Sequence, residues 1–122
     1  MHELSLCQSL LEQIEQQARA YPDCEVSAVW LQIGPLAGVE PDLLRHAYSI
    51  AAVGSVAERA VLYWETIPIQ VRCQACGAVS TAEINRLRCG ACGDYHTTVL
   101  TGDELILARL ELNPRLSKPV VA

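Results

Sequence analysis

The sequence predicts an α+β fold: a three-stranded sheet with two helices on one face and an inserted cysteine-knuckle module. Three observations predict it. Apolar residues recur at spacings of three and four in two stretches, three other runs have strand character, and residues 73–100 hold four cysteines with few large apolar side chains.

The first helix is expected from about Glu3 to Ala20. Leu4, Cys7, Leu11, Ile14, Ala18 and Tyr21 fall on one face, with Glu12, Gln13, Glu15, Gln16 and Arg19 on the other. Ser5 with Gln8 offers a capping box, and Pro22 ends the helix. Val26 to Ile33 reads as a strand, with Val29, Leu31 and Ile33 on one face. Glu40-Pro41-Asp42 opens a second helix, with proline early and acid near the positive end of the helix dipole. That helix turns Leu44, Ala47, Tyr48 and Ala51 inward and stops near Gly54. Ala60 to Val71 reads as one long strand interrupted at Pro68. Glu104 to Leu112 returns to alternation, with Ile106, Ala108, Leu110 and Leu112 inward and Arg109 and Glu111 outward.

Composition narrows the function classes. The 122 residues are 51% hydrophobic, enough for one real core, although phenylalanine is absent. Net charge is −5 and Lys118 is the single lysine, so the clustered basic residues that nucleic acid demands are missing. No apolar run approaches the roughly 20 residues that span a membrane. The N-terminus has no basic leader segment, so a cytoplasmic protein is expected. No phosphate loop, paired carboxylates or Ser/His/Asp group appears, and no enzyme is expected.

Six cysteines without a secretory signal call for a role other than disulfides. Cys73-Gln74-Ala75-Cys76-Gly77 and Cys89-Gly90-Ala91-Cys92-Gly93 repeat one Cys-x-x-Cys-Gly knuckle. Two intervening residues let both sulfurs of a knuckle reach one ion, and the glycine eases a positive φ. Together the knuckles supply four thiolates, a closed tetrahedral site of the kind that holds structural Zn²⁺. Such binding contributes on the order of 10 kcal/mol, in place of the hydrophobic core the stretch lacks. Four-cysteine iron is the first rival and an iron–sulfur cluster the second. A redox pair is disfavoured, because that motif sits at a strand-to-helix junction and is not duplicated.

The N-terminus has chemistry of its own, although most terminal residues carry none. The α-amine of Met1, the amide and imidazole nitrogens of His2, and Glu3 can form consecutive chelate rings. Nitrogen-rich ligation of that kind suits Ni²⁺ or Cu²⁺.

Met1-His2-Glu3-Leu4-Ser5, Ile33-Gly34-Pro35-Leu36-Ala37-Gly38-Val39-Glu40-Pro41, the paired knuckles and Gly102-Asp103-Glu104-Leu105 together resemble the HypA/HybF hydrogenase maturation proteins. The resemblance runs from Met1 to about Leu112. It implies a nickel metallochaperone for nickel–iron hydrogenase assembly. It implies nickel, Ni(2+), on His2 with Glu3 involved, to which the chelate chemistry adds the Met1 backbone amine, and zinc, Zn(2+), on Cys73, Cys76, Cys89 and Cys92. It also implies a nickel-handling GTPase and the hydrogenase large-subunit precursor as partners, with urease maturation proteins added in some members. The expected domains are a discontinuous nickel-binding α/β domain, 1–71 with 102–113, a zinc-binding domain, 72–101, and a flexible tail, 114–122.

Other candidates carry blander readings. His96 is a surface histidine before it is a spare zinc or nickel ligand, and His46 beside Arg45 is solvated. Glu40 is an auxiliary metal oxygen or simply a helix-start acid. Cys7 is core, and Cys24 lies in an exposed turn. Two other functions compete. A zinc-ribbon module for nucleic acid or protein fits the knuckles but has only Arg72, Arg86 and Arg88 beside them. A zinc hydrolase would need an open coordination position that four thiolates do not leave.

Overall fold

Both helices form where the periodicity predicts them, whereas the long strand expected across Pro68 is two strands in two sheets. The computed structural model describes residues 2–115, and of His2 the backbone alone. In chain order the elements are α1 (His2–Ala18), β1 (Cys24–Ile33), a 3-10 turn (Pro35–Ala37), α2 (Pro41–Ala51), β2 (Val61–Thr66), β3 (Ile69–Cys73), β4 (Val79–Ala82), β5 (Thr97–Thr101) and β6 (Leu105–Pro114). One three-stranded sheet has the order β2-β1-β6 and the other β4-β3-β5. Contacts divide the chain into two compact units. The first comprises residues up to Trp30, Glu40–Tyr63 and from Leu107 onward; the second comprises Leu31–Val39 and Trp64–Ile106.

In the first unit α1 buries Cys7, Leu10, Leu11, Ile14 and Ala18, while α2 buries Leu44 and Tyr48. The Cys7 thiol donates to the Leu44 carbonyl at 3.5 Å, and burial, followed by the nearby Glu3 charge, raises its pKa. Pro41 stands at the first turn of α2 behind an extended Glu40, where its missing N–H costs nothing. The Tyr48 hydroxyl donates to the Ala57 carbonyl at 2.8 Å. On β1 the alternation changes phase: Val26 and Ala28 are buried, then Val29. Trp30 stacks on Tyr63 with ring centroids 4.9 Å apart, and the Arg109 guanidinium lies 4.6 Å from the Trp30 ring centroid. Such a cation–aromatic ladder across three strands contributes about 1 kcal/mol per contact.

The second unit buries Leu31, Ile33, Ile69, Val71, Cys73 and Cys89. β3 pairs antiparallel with β4, Arg72 opposite Val79, and with β5, Cys73 opposite Thr97. Pro68, which has no N–H to give a ladder, separates β2 from β3. Thr101 Oγ1 donates to its carbonyl at 2.8 Å. Two backbones then cross closely. Gly34 N–H donates to Glu104 O at 2.8 Å and Leu36 N–H to Gly102 O at 2.7 Å. A Cβ on Gly34 would collide with the Gly102 carbonyl, and Gly102 itself has φ 109°. Those contacts are the physical content of the Gly34-Pro35-Leu36 and Gly102-Asp103-Glu104 segments.

Several expectations are corrected. Leu4 and Tyr21, expected on the buried face of the first helix, are 37% and 56% exposed, because α1 stops at Ala18 and Leu4 lies in its first turn. Ile106 and Ala108 are exposed, while Leu105, Leu107, Leu110 and Leu112 are half-buried. Residues 105–108 are all apolar, so periodicity had no means of choosing a phase there. The stretch 73–100, expected as an insertion beside a single three-stranded sheet, supplies β4 and β5 of a second one. Cys24 is half-buried rather than exposed. Asn113 and Pro114 belong to β6, and residues 116–122 lie outside the described residues.

Two outcomes follow for stability. Ile14→Ala, at a fully buried position, is expected to cost about 2–5 kcal/mol, whereas Tyr21→Ala should stay within about 0.5 kcal/mol; urea-unfolding midpoints measure both. The Tyr48 hydroxyl is pushed up to about 12, first by burial and next by Cys7. The folded chain therefore keeps this proton where the unfolded chain has lost it. The stabilisation is full below about pH 10 and is lost as pH rises towards 12, a fall on the order of 2 kcal/mol. In Tyr48→Phe that part of the alkaline slope should vanish, and an unchanged slope between pH 9 and about 11 would refute the assignment.

Candidate metal centre

The repeated knuckle folds as a repeated turn. In the first, the N–H groups of Ala75 and Cys76 donate to Cys73 Sγ at 3.3 and 3.4 Å. In the second, Ala91 and Cys92 donate to Cys89 Sγ at the same 3.3 and 3.4 Å. Each turn closes four residues on, Gly77 N–H to Cys73 O at 3.0 Å and Gly93 N–H to Cys89 O at 2.9 Å. Those glycines take φ 78° and 80°, which a side chain would resist.

The second knuckle is braced from outside. Ser80 Oγ accepts the Gly90 N–H at 2.9 Å, Thr97 Oγ1 donates to Leu87 O at 2.7 Å, and Cys89 N–H donates to Asp94 O at 2.8 Å. The strands thus position the sulfurs: Cys73 ends β3, with β4 and β5 on either side.

The four sulfurs meet. Cys73 and Cys92 Sγ are 3.6 Å apart, as are Cys76 and Cys89, and all four lie within 4.8 Å of one another. A tetrahedral zinc with bonds of about 2.3 Å has sulfur–sulfur edges of about 3.8 Å, so the cluster fits that ion. Cys73 and Cys89 are buried and Cys76 and Cys92 exposed. The N–H of Cys92, followed by that of Ala91, draws the Cys89 thiol down to about 6. Cys76 N–H foremost lowers Cys73, against the opposing effect of burial. These N–H groups favour the thiolate form of the two inner sulfurs, the form that binds metal.

The remaining candidates fall elsewhere. Among the described residues the four cysteines are the only group of three or more His, Cys, Asp or Glu placed to share an ion. Met1 lies outside the described residues, and of His2 only its helical backbone is described. Glu3 is half-buried in the first turn of α1, and Glu40 and His46 are exposed. His96 is a surface residue, its side chain 83% exposed. Its Nδ1 lies 2.7 Å from Asp94 Oδ1, which also accepts the His96 backbone N–H at 2.7 Å. Sequence reading missed Ser80, Thr97 and Asp94. The Asp-x-His spacing was a legible signal for the last, since an aspartate commonly accepts the N–H two residues on.

A family described as hydrogenase/urease nickel incorporation, metallochaperone, hypA matches residues 1–112. The hydrogenase maturation factor HypA of Nitrosospira multiformis is 44% identical over 112 residues, covering 92% of this chain and 97% of its own. The hydrogenase maturation factor HypA of Aquifex aeolicus is 40% identical over 112 residues, with the same coverage. Among solved structures, the solution structure of the Ni metallochaperone HypA from Helicobacter pylori superposes with a TM-score of 0.72 at 22% identity. It covers 93% of this chain and 98% of its own, a likeness of fold.

Replacing either one buried or one exposed ligand tests the cluster. Cys73→Ser and Cys92→Ser should each release zinc to a colorimetric chelator and raise amide exchange across β3, β4 and β5, while α1 and α2 keep their helical circular dichroism. Stoichiometric zinc in both variants would contradict a four-sulfur site.

Proposed function

The chain belongs to the HypA family of hydrogenase and urease nickel-incorporation metallochaperones, and from that membership we propose how it carries nickel. It holds Ni(II) at its N-terminus for the maturation of nickel–iron hydrogenase and keeps a structural zinc on Cys73, Cys76, Cys89 and Cys92. The observation that carries this reading is the family match over residues 1–112, which takes in both Met1-His2-Glu3 and the two knuckles.

The nickel ligands proposed are the Met1 α-amine, the amide and imidazole nitrogens of His2, and Glu3. Local structure supports the choice. α1 begins at His2, and the first N–H groups of a helix have no intrahelical acceptor. Amide nitrogens there are given up to a metal without breaking a backbone bond. The imidazole must be neutral to bind. Nickel is thus the business of residues 1–71 with 102–113, and zinc that of residues 72–101.

The role is one of binding and hand-over rather than catalysis. The partners proposed are a nickel-handling GTPase, the hydrogenase large-subunit precursor and, in members that serve urease, urease maturation proteins. Nucleic acid is not among them, given a net charge of −5. No helix among the described residues is long and apolar enough to cross a membrane, and a cytoplasmic protein is proposed.

Four cleanly processed proteins test the nickel site: wild type, a short Gly-Ser extension before Met1, His2→Ala, and an extension after Ala122. The N-terminal extension and His2→Ala should each weaken nickel binding by at least about tenfold while zinc stays stoichiometric. The C-terminal extension should titrate as wild type. Wild-type affinity in the N-terminally extended protein would remove the amine from the ligand set. Wild-type affinity in His2→Ala would place the site elsewhere.

A further inference from the structure

Helix α2 is apolar on two faces. One face carries Leu44 and Tyr48 into the core. On the solvent side, Leu43 is 55% exposed, Ile50 61%, and Val53, in the turn that continues the helix, 67%. With the exposed His46, these residues are spaced 3, 4, 3 along the chain. That is the a/d spacing of a coiled-coil seam, with one polar residue among apolar ones. Apolar residues exposed along the face opposite the core offer a surface for contact.

Beside the seam lies a groove of about 360 Å³ whose lining includes Val53 and Ala51 of the α2 end and Gln8, Leu11, Glu12 and Glu15 of α1. Glu12 and Glu15 are exposed, and among the described residues neither carboxylate has an ion-pair partner. The apolar seam therefore has an acidic wall.

We propose that this seam docks an amphipathic helix of a partner protein, about three turns long, with apolar residues spaced 3, 4, 3 and lysine or arginine along the flank that meets Glu12 and Glu15. Size and charge select that occupant. Three aliphatic side chains exposed to this extent offer on the order of 200 Å² of apolar surface, well short of the roughly 800 Å² per partner of a stable interface. The contact is one that forms and releases. A second copy of the chain would bring another −5 of charge and the same acidic wall, and an anionic lipid surface would be repelled by both. A basic-flanked helix gains from each. None of the seam residues is a proposed metal ligand.

The test uses the full zinc-loaded chain and two fluorescent, side-chain-bridged helical peptides. Both carry four leucines spaced 3, 4, 3; one has lysine flanks, and its twin has glutamate flanks. The lysine peptide should bind wild type and bind Ile50→Glu at least about tenfold more weakly, although that variant is the more acidic. Attraction by charge alone would strengthen binding to Ile50→Glu, the opposite result. The Glu12→Gln/Glu15→Gln double variant should lose several-fold, and the glutamate twin should bind wild type at least about tenfold more weakly than the lysine peptide. Equal binding to wild type and Ile50→Glu, or no binding of the lysine peptide, overturns the proposal. It is likewise overturned if sedimentation shows self-association that Ile50→Glu abolishes, or if anionic phosphatidylglycerol vesicles bind at the seam instead. Nickel and zinc titrations of Ile50→Glu should match wild type, so failure here leaves the nickel reading standing, and failure of the nickel titrations leaves this one standing.

Discussion

Four sulfurs within 4.8 Å of one another are the constraint on which the second unit is built. As thiolates without a cation they would repel strongly; as thiols they would waste the N–H groups aimed at Cys73 and Cys89. A divalent ion resolves the conflict, because it turns mutual repulsion into four bonds. The rest of the unit follows from keeping those sulfurs in place. β3 delivers Cys73, Ser80 on β4 receives the Gly90 N–H, and Thr97 on β5 ties down Leu87. The sheet is small, with Ile69 and Val71 its fully buried strand residues besides Cys73. Cross-strand bonds and metal together do what apolar burial alone could not in so short a stretch.

A second constraint is steric. The crossing of Gly34 with Gly102 is held by two backbone hydrogen bonds of 2.8 and 2.7 Å; it leaves no room for a Cβ on Gly34, while on Gly102 a Cβ would meet Ile69. Chains pass this close only where side chains are absent. The 3-10 turn Pro35–Ala37 and the left-handed Gly38 that ends it then bring the chain round to Glu40 and α2. Of the segments that carried the family resemblance, these two are thus packing solutions, and neither contributes a residue to the metal cluster.

How much was legible depends on how local the cause is. The helices were legible because Cys7, Leu11, Ile14 and Ala18 repeat at helical spacing and are buried. The zinc cluster was legible because two residues between cysteines impose their own geometry. The second sheet was not: Val79–Ala82 and Thr97–Thr101 are four and five residues long, and half-buried residues alternate with exposed ones in both. Their pairing partner lies in β3, up to 31 residues away along the chain as Gln70 opposite Thr101, so no local pattern announces it. The strand phase around Ala108 failed for a different reason. Where Leu105, Ile106, Leu107 and Ala108 are all apolar, only the surroundings decide which face is covered. His2 and Met1 were read from coordination chemistry and from resemblance; nothing in the folded chain adds to that reading beyond a helix that starts at His2.

The four-cysteine cluster and the proposed N-terminal nickel site differ in the property that a carrier needs. A structural site holds its ion by surrounding it, and four thiolates leave no coordination position through which a partner could enter. Cargo has to leave, and exchange of a metal between proteins passes through a state in which both donate ligands. A site at a chain end, as proposed for nickel, is compatible with that state; a closed four-thiolate cluster is not. Soft thiolates would also bind Ni²⁺, since selectivity among such ions comes from geometry and availability more than from affinity. Four vacant cysteines would therefore compete for the cargo. Zinc held there would both build the unit and remove that competitor, and the proposed N-terminal donors would then meet nickel without it.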